Sequence, residues 1–89
     1  MMTKEEHNAA AVHLLKATHR GGETADRIKR LLVSMTEPGE EDGPNMTALF
    51  AFADAGNKAA LLTLFDGWQR HGMPPALDEW RVERWAADA

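Results

Sequence analysis

The sequence of 89 residues contains no cysteine, and its only serine is Ser34. Without cysteine the chain can form no disulfide, no zinc–thiolate site and no thiol nucleophile, which fits a cytoplasmic protein. No Gly-x-Ser-x-Gly sequence surrounds the serine, so the usual arrangement of a serine hydrolase is also missing. We therefore expect that the protein is not an enzyme.

Long apolar runs and a strong positive charge are also lacking. No apolar run reaches the roughly 18 residues that a membrane-spanning helix needs, so we expect no membrane span. The net charge is −4, and residues 36–45 carry four acidic side chains and no basic one. A mildly acidic chain is not a general nucleic-acid binder. Its length predicts a single domain over residues 1–89.

Clusters of metal-binding residues are absent from the pattern. His7, His13 and His19 follow one another at intervals of six residues. On a helix this spacing points the three rings in different directions, so they cannot converge on one ion. No spacing typical of a zinc site occurs elsewhere. We expect no metal and no cofactor, and exposed or half-packed histidines.

The most apolar stretch of the chain covers residues 46–68. Leu61, Leu64, Phe65 and Trp68 repeat at the spacing of one helical face, and an equivalent series precedes them. Between the two series, Gly56 and Asn57 suggest a helix end followed by a new N-cap. The pattern predicts two short helices, the first so apolar that it belongs in the middle of the domain.

The rest of the chain predicts three further helices. The first covers residues 3–20, with a capping box at its start, the second covers residues 24–35, and the last covers residues 75–87. Residues 37–44 hold two prolines, two glycines and four acids, which predicts a flexible, solvated acidic loop. The predicted fold is all-α, a compact bundle of five short helices formed by two hairpins and a C-terminal helix.

The C-terminal helix carries the candidate binding residues. Trp80 and Trp85 lie five positions apart, so they point about 140° away from each other. A small core cannot easily cover both, and we expect one ring inside and the other exposed or against a partner. The spacings of four between Arg81 and Trp85, and between Trp80 and Arg84, permit guanidinium stacking on indole. The candidate partner-binding residues are Trp80, Arg81, Val82, Arg84 and Trp85.

These observations favour a small acidic protein-interaction module that acts by docking on another protein, as an adaptor, regulator or inhibitor. Tryptophan and arginine are the side chains most enriched in interface hot spots. The same helix could instead meet a second copy of the chain, so a homodimer is predicted as well.

One alternative involves DNA. Residues 12–32 resemble a helix-turn-helix, with a turn at Gly21 and Gly22 followed by a basic amphipathic helix. The resemblance implies a transcriptional regulator whose Arg27, Lys29 and Arg30 contact the groove and the phosphates. The acidic side chains in the same helix oppose such contacts.

Overall fold

A computed structural model describes residues 3–37 and 43–88. These residues form five α-helices, namely α1 (Lys4–Ala17), α2 (Glu23–Thr36), α3 (Met46–Phe52), α4 (Ala55–His71) and α5 (Pro75–Asp88), with a short 3₁₀ turn (Thr18–Arg20) after α1. The described residues contain no β-strand, which confirms the all-α prediction. Within these two ranges no helix has both the length and the apolar character needed to cross a bilayer.

Helices α1, α3 and α4 each begin after a residue whose side chain caps the helix. The Thr3 hydroxyl accepts from the backbone N–H of Glu6 at 3.1 Å, as the capping box predicted. Asn45 caps α3 in the same way, accepting from the N–H of Ala48 at 3.0 Å. Between α1 and α2 the chain turns at Gly21 and Gly22, whose φ angles of 77° and 94° favour glycine.

The centre of the fold is an antiparallel pair of helices, α1 and α4. The Nε2–H of His7 donates to the carbonyl of Leu64 at 3.2 Å. Further along α1, the Nε2–H of His13 donates to the side-chain oxygen of Asn57 at 3.0 Å. Residue numbers therefore rise along α1 as they fall along α4.

Helices α2 and α5 complete the core against this pair. The buried cluster is made of aliphatic side chains from all five helices: Ala10, Ala11, Leu14, Ala17, Ile28, Leu31, Leu32, Leu49, Ala60, Leu61, Leu64 and Leu77. Half-buried aromatic and methionine side chains pack around it. The aliphatic centre fixes where α5 lies, because Leu77 is fully buried there.

The prediction that the first helix of the apolar stretch occupies the middle of the domain is wrong. α3 is only seven residues long, and Leu49 is its one buried residue. Phe52 is 70% exposed, and Met46 is also largely accessible. A helix of two turns packs only one of its sides against α2, so the apolar side chains on its other sides remain at least partly exposed to solvent.

The corner between α3 and α4 also differs from the prediction. α3 ends at Phe52, and Asp54 is the N-cap of α4, with its carboxylate accepting from the N–H of Asn57 at 2.8 Å. Gly56 and Asn57 therefore lie inside the first turn of α4. The C-cap Ala53 has extended backbone angles, φ −69° and ψ 143°, so this helix end needs no glycine.

His7 is buried, which contradicts the expectation that every histidine is exposed or half-packed. Its side chain is 1% exposed and lies where α1 and α4 meet. Gly67 of α4 makes room for the ring, because a Cβ added at Gly67 would lie 2.5 Å from the His7 Cγ. The inner side of α1 is accordingly formed by His7, Ala10, Ala11, Leu14 and Ala17, while Val12, Leu15 and Thr18 are half-buried.

The buried ring predicts a pH dependence of stability. Burial lowers the pKa of His7 below 6.5, the Leu64 carbonyl partly opposes this, and the nearby His71 lowers the pKa further. Lys4 and Glu5 also line the cleft beside the ring. Because the unfolded chain then binds a proton more readily than the folded one, this contribution is complete above about pH 6.5 and is lost as the pH falls below it.

We therefore expect the urea concentration at the unfolding midpoint to decrease as the pH is lowered from about 7 to about 5. The His7→Gln variant keeps a donor for the Leu64 carbonyl but cannot titrate, so its midpoint should change less over this range. His19→Gln, at an exposed position, is the matched control and should keep the wild-type slope. Equal slopes for wild type and His7→Gln would contradict the assignment.

The predicted flexible loop at 37–44 is described only at its ends, since residues 38–42 lie outside the described residues. Glu37 does not fit the expectation of a solvated carboxylate. Its side chain is only 9% exposed and forms an ion pair with Arg84. The C-terminal end of α2 is thus joined to α5.

Candidate partner-binding surface

α5 has a packed side and an exposed side. Leu77 is fully buried, and Trp80 is half-buried against the core. On the opposite side, Val82 is 51% exposed and Trp85 is 52% exposed. The two tryptophans are divided as the sequence predicted, one against the core and one toward solvent.

Arg84 joins the packed side of α5 to the end of α2. Its guanidinium carbon lies 4.8 Å from the centroid of the Trp80 ring, within the range of a cation–π contact. Its Nη2 atom lies 3.1 Å from a carboxylate oxygen of Glu37. Arg84 therefore covers Trp80 and holds the C-terminal half of α5 in place.

Trp85 is exposed but is also held in one orientation. The guanidinium carbon of Arg81 lies 4.9 Å from the centroid of its ring. The indole Nε1–H donates to the carboxylate of Glu37, and Arg81 itself pairs with Asp78. Contacts on one ring face and at the ring nitrogen fix the side chain, while about half of its surface stays accessible.

Val82 and Ala86 lie beside Trp85 on the same exposed side. We name these three residues, Val82, Trp85 and Ala86, the α5 strip. Its spacing of three and four positions makes a continuous apolar ridge along a little over one turn of helix. An exposed ridge of this kind, with an aromatic side chain held in advance, is typical of a surface that another protein covers.

The Glu37 contacts predict a measurable stabilisation. Replacing Glu37 with glutamine removes the charge opposite Arg84, whose side chain is 26% exposed. We expect the free energy of unfolding to fall by about 1 kcal/mol, since partial exposure weakens the ion pair. The matched control is Glu23→Gln, because Glu23 pairs with Arg27 but is 87% exposed. Equal losses for both variants in urea unfolding would show that Glu37 does not fix α5.

The sequence predicted the stacking pairs within α5. It did not predict that Glu37, the residue after α2, contacts this helix. Arg81, Arg84 and both tryptophans form the stacking pairs that the spacing of four permitted. Asp78 could have been found, because it precedes Arg81 by three positions on the same helix. Glu37 lies 48 positions from Trp85, and no local pattern links residues so far apart.

The structure of residues 12–32 can be compared with the helix-turn-helix alternative. Residues 12–32 do form a helix, a glycine turn and a second helix, but Arg27 is engaged within the chain. It pairs with Glu23 at 3.5 Å, and its guanidinium carbon lies 5.8 Å from the centroid of the Phe52 ring. Lys29 is exposed. DNA binding by this segment stays a prediction, although Arg27 already has partners within the chain.

The described part of the chain contains no cluster of side chains suited to metal binding. There, no group of three or more histidine, aspartate or glutamate side chains lies close enough together to hold an ion. His7 and His71 form a pair with ring centroids 5.9 Å apart. His7 uses its Nε2–H for the Leu64 carbonyl, as described above.

Comparison with known proteins adds no relative to this description. The chain matches no protein-family model, no curated protein and no solved structure at a significant level.

Proposed function

We propose that the protein is a small non-enzymatic interaction module that docks on another protein through the α5 strip, as an adaptor, regulator or inhibitor. The observation that carries this proposal is Trp85, which is half exposed yet held by Arg81 and Glu37. A side chain fixed before binding loses little conformational entropy when a partner covers it. Tryptophan in such a setting is the most common kind of interface anchor.

The contacts behind the strip support the same role. Arg84 and Glu37 tie the C-terminal half of α5 to the end of α2. This contact lies next to the strip and supports the last turn of α5, which carries Trp85. The packed side of the helix stays in the core, so binding needs no rearrangement of the fold.

Co-purification from the source cells with a tagged chain tests this proposal. We expect a partner that is retained by the wild type and lost with Trp85→Ala. The matched control is Leu62→Ala, because Leu62 is 60% exposed on α4. With the purified partner, Trp85→Ala should weaken binding by about 2 kcal/mol or more, roughly a thirtyfold rise in Kd.

Two results would contradict the proposal. One is a partner whose calorimetric Kd is the same for wild type and Trp85→Ala. The other is a Trp85→Ala variant that loses its helical circular dichroism, since this would show that Trp85 serves the fold. Leu62→Ala should behave as wild type in both measurements.

A homodimer would cover the same strip. The sequence predicts it, and the mass in solution distinguishes it from docking on another protein. A monomer has a mass of 9.8 kDa. Light scattering at micromolar concentration should give twice that mass if the strip meets its own copy, and Trp85→Ala should then restore the monomer.

A further inference from the structure

We propose that the occupant of the α5 strip is a basic protein segment, one with lysine or arginine next to its apolar anchor. This inference rests on the proposed function and adds the chemistry of the partner. Its basis is the set of charged side chains that α5 leaves exposed around the strip, which are acidic. Asp78, Glu79 and Glu83 are all exposed on the outer half of α5.

The two arginines of α5 leave Glu79 and Glu83 unbalanced at the exposed side. Arg81 pairs with Asp78, and Arg84 pairs with Glu37 of the α2 end. Both guanidiniums also lie over indole rings. Glu79 and Glu83, in contrast, form no ion pair with any residue that the structure describes. The cations of the helix thus serve its own packing, and the free charges at the strip are negative.

The positions of the two glutamates place them along the strip. With about 100° per residue, Glu79 lies about 60° and Glu83 about 100° to one side of Val82. Trp85 lies about 60° to the other side. Both carboxylates therefore border the strip on the side away from Trp85, where Glu79 neighbours Val82 and Glu83 neighbours Ala86. A partner that covers the whole strip passes beside them. Lysine or arginine at the edge of its apolar patch would meet them.

The two neighbouring glutamates, Glu79 and Glu83, also destabilise α5 when no partner is bound. Glutamates four positions apart on a helix repel each other. Glu83 lies toward the negative end of the helix dipole, and the last turn of α5 holds no basic residue that would offset it. A cationic partner would reduce this repulsion, which lowers the free energy of the bound state relative to the free one.

The same charges disfavour the other occupants. In a symmetric dimer the strip would face its own copy, which brings two further glutamates and whose arginines are already paired with Asp78 and Glu37. Nucleic acids and anionic lipid surfaces are repelled for the same reason. A basic protein segment with an apolar anchor is the occupant that complements both the apolar strip and the acidic side chains beside it.

Selection from a phage-displayed library of random peptides tests the inference, with the full chain immobilised. Peptides that bind the wild type and lose binding to Trp85→Ala should carry a net positive charge. Synthesised peptides from this group should bind the Glu79→Lys/Glu83→Lys variant at least about tenfold more weakly. The control variant Glu5→Lys/Asp26→Lys has the same net charge, with exposed acids changed on α1 and α2, and should keep most of the affinity.

The outcomes separate the two proposals. Neutral or acidic peptides that depend on Trp85, or basic ones that bind both double variants equally, would overturn the basic partner and leave the docking surface standing. A selection without any Trp85-dependent peptide would overturn both. A dimer that Trp85→Ala dissociates would assign the strip to a second copy and would also overturn the basic partner.

Discussion

Replacing Leu64 with alanine is expected to lower the free energy of unfolding by about 2–5 kcal/mol. Leu64 is fully buried in α4, and its carbonyl accepts the hydrogen bond from His7. Removing its side chain leaves a cavity where α1 and α4 meet, and the surrounding helices can fill it only in part. Because a small domain has a total stability of only about 5–15 kcal/mol, this loss removes a large share of it and should lower the melting temperature by many degrees.

Leu62→Ala is the matched control, since it is the same substitution two positions earlier in the same helix. Leu62 is 60% exposed, so its loss should change stability by no more than about 0.5 kcal/mol. Urea unfolding followed by circular dichroism measures both variants. Similar midpoints for Leu64→Ala and Leu62→Ala would mean that α4 does not lie against the core through Leu64.

Gly67→Ala should destabilise the fold by about 1–3 kcal/mol, although alanine is the better helix former. A Cβ at this position would lie 2.5 Å from Cγ and 2.9 Å from Nε2 of His7. The ring is only 1% exposed and is held by its hydrogen bond to the Leu64 carbonyl. Either the ring shifts into the cleft beside it and loses this bond, or α1 and α4 separate, and both changes lower stability.

Gly56→Ala in the same helix should have the opposite sign. A Cβ there would meet the Asp54 carboxylate at 3.5 Å and the His13 ring at 3.6 Å, which are ordinary contacts. We expect a gain of up to about 1 kcal/mol from helix propensity. Adding His7→Ala to Gly67→Ala should make the glycine substitution nearly harmless, which a double-mutant cycle measures. A neutral Gly67→Ala in the wild-type background would contradict the close packing.

The parts of the fold that could be predicted are those fixed by neighbouring residues. Thr3 and Asn45 begin helices because their side chains reach a backbone N–H three residues later. The division between Trp80 and Trp85 follows from helical geometry, because two rings about 140° apart on a helix are not easily covered by one small core. The stacking of Arg81 and Arg84 follows from the same geometry.

The parts that could not be predicted depend on contacts between distant residues. His7 is buried because Gly67, sixty positions later, leaves room for its ring. Glu37 is covered because α5 folds back over the end of α2. The corner before α4 was misplaced because two capping signals compete there. Asp54 takes the cap, although Asn57, after a glycine, offers the more familiar pattern.

The docking surface is tested most directly by a photoreactive residue placed in it, in the cells that produce the chain. p-Benzoylphenylalanine at position 82 should give a light-dependent adduct with a basic protein, and Trp85→Ala should remove this adduct. The same probe at the exposed positions 62 and 29 reports on α4 and on the basic side of α2. We predict an adduct at position 82 and none at the other two. An adduct that forms equally at position 62 or 29, or none at position 82, would contradict the assignment of the α5 strip.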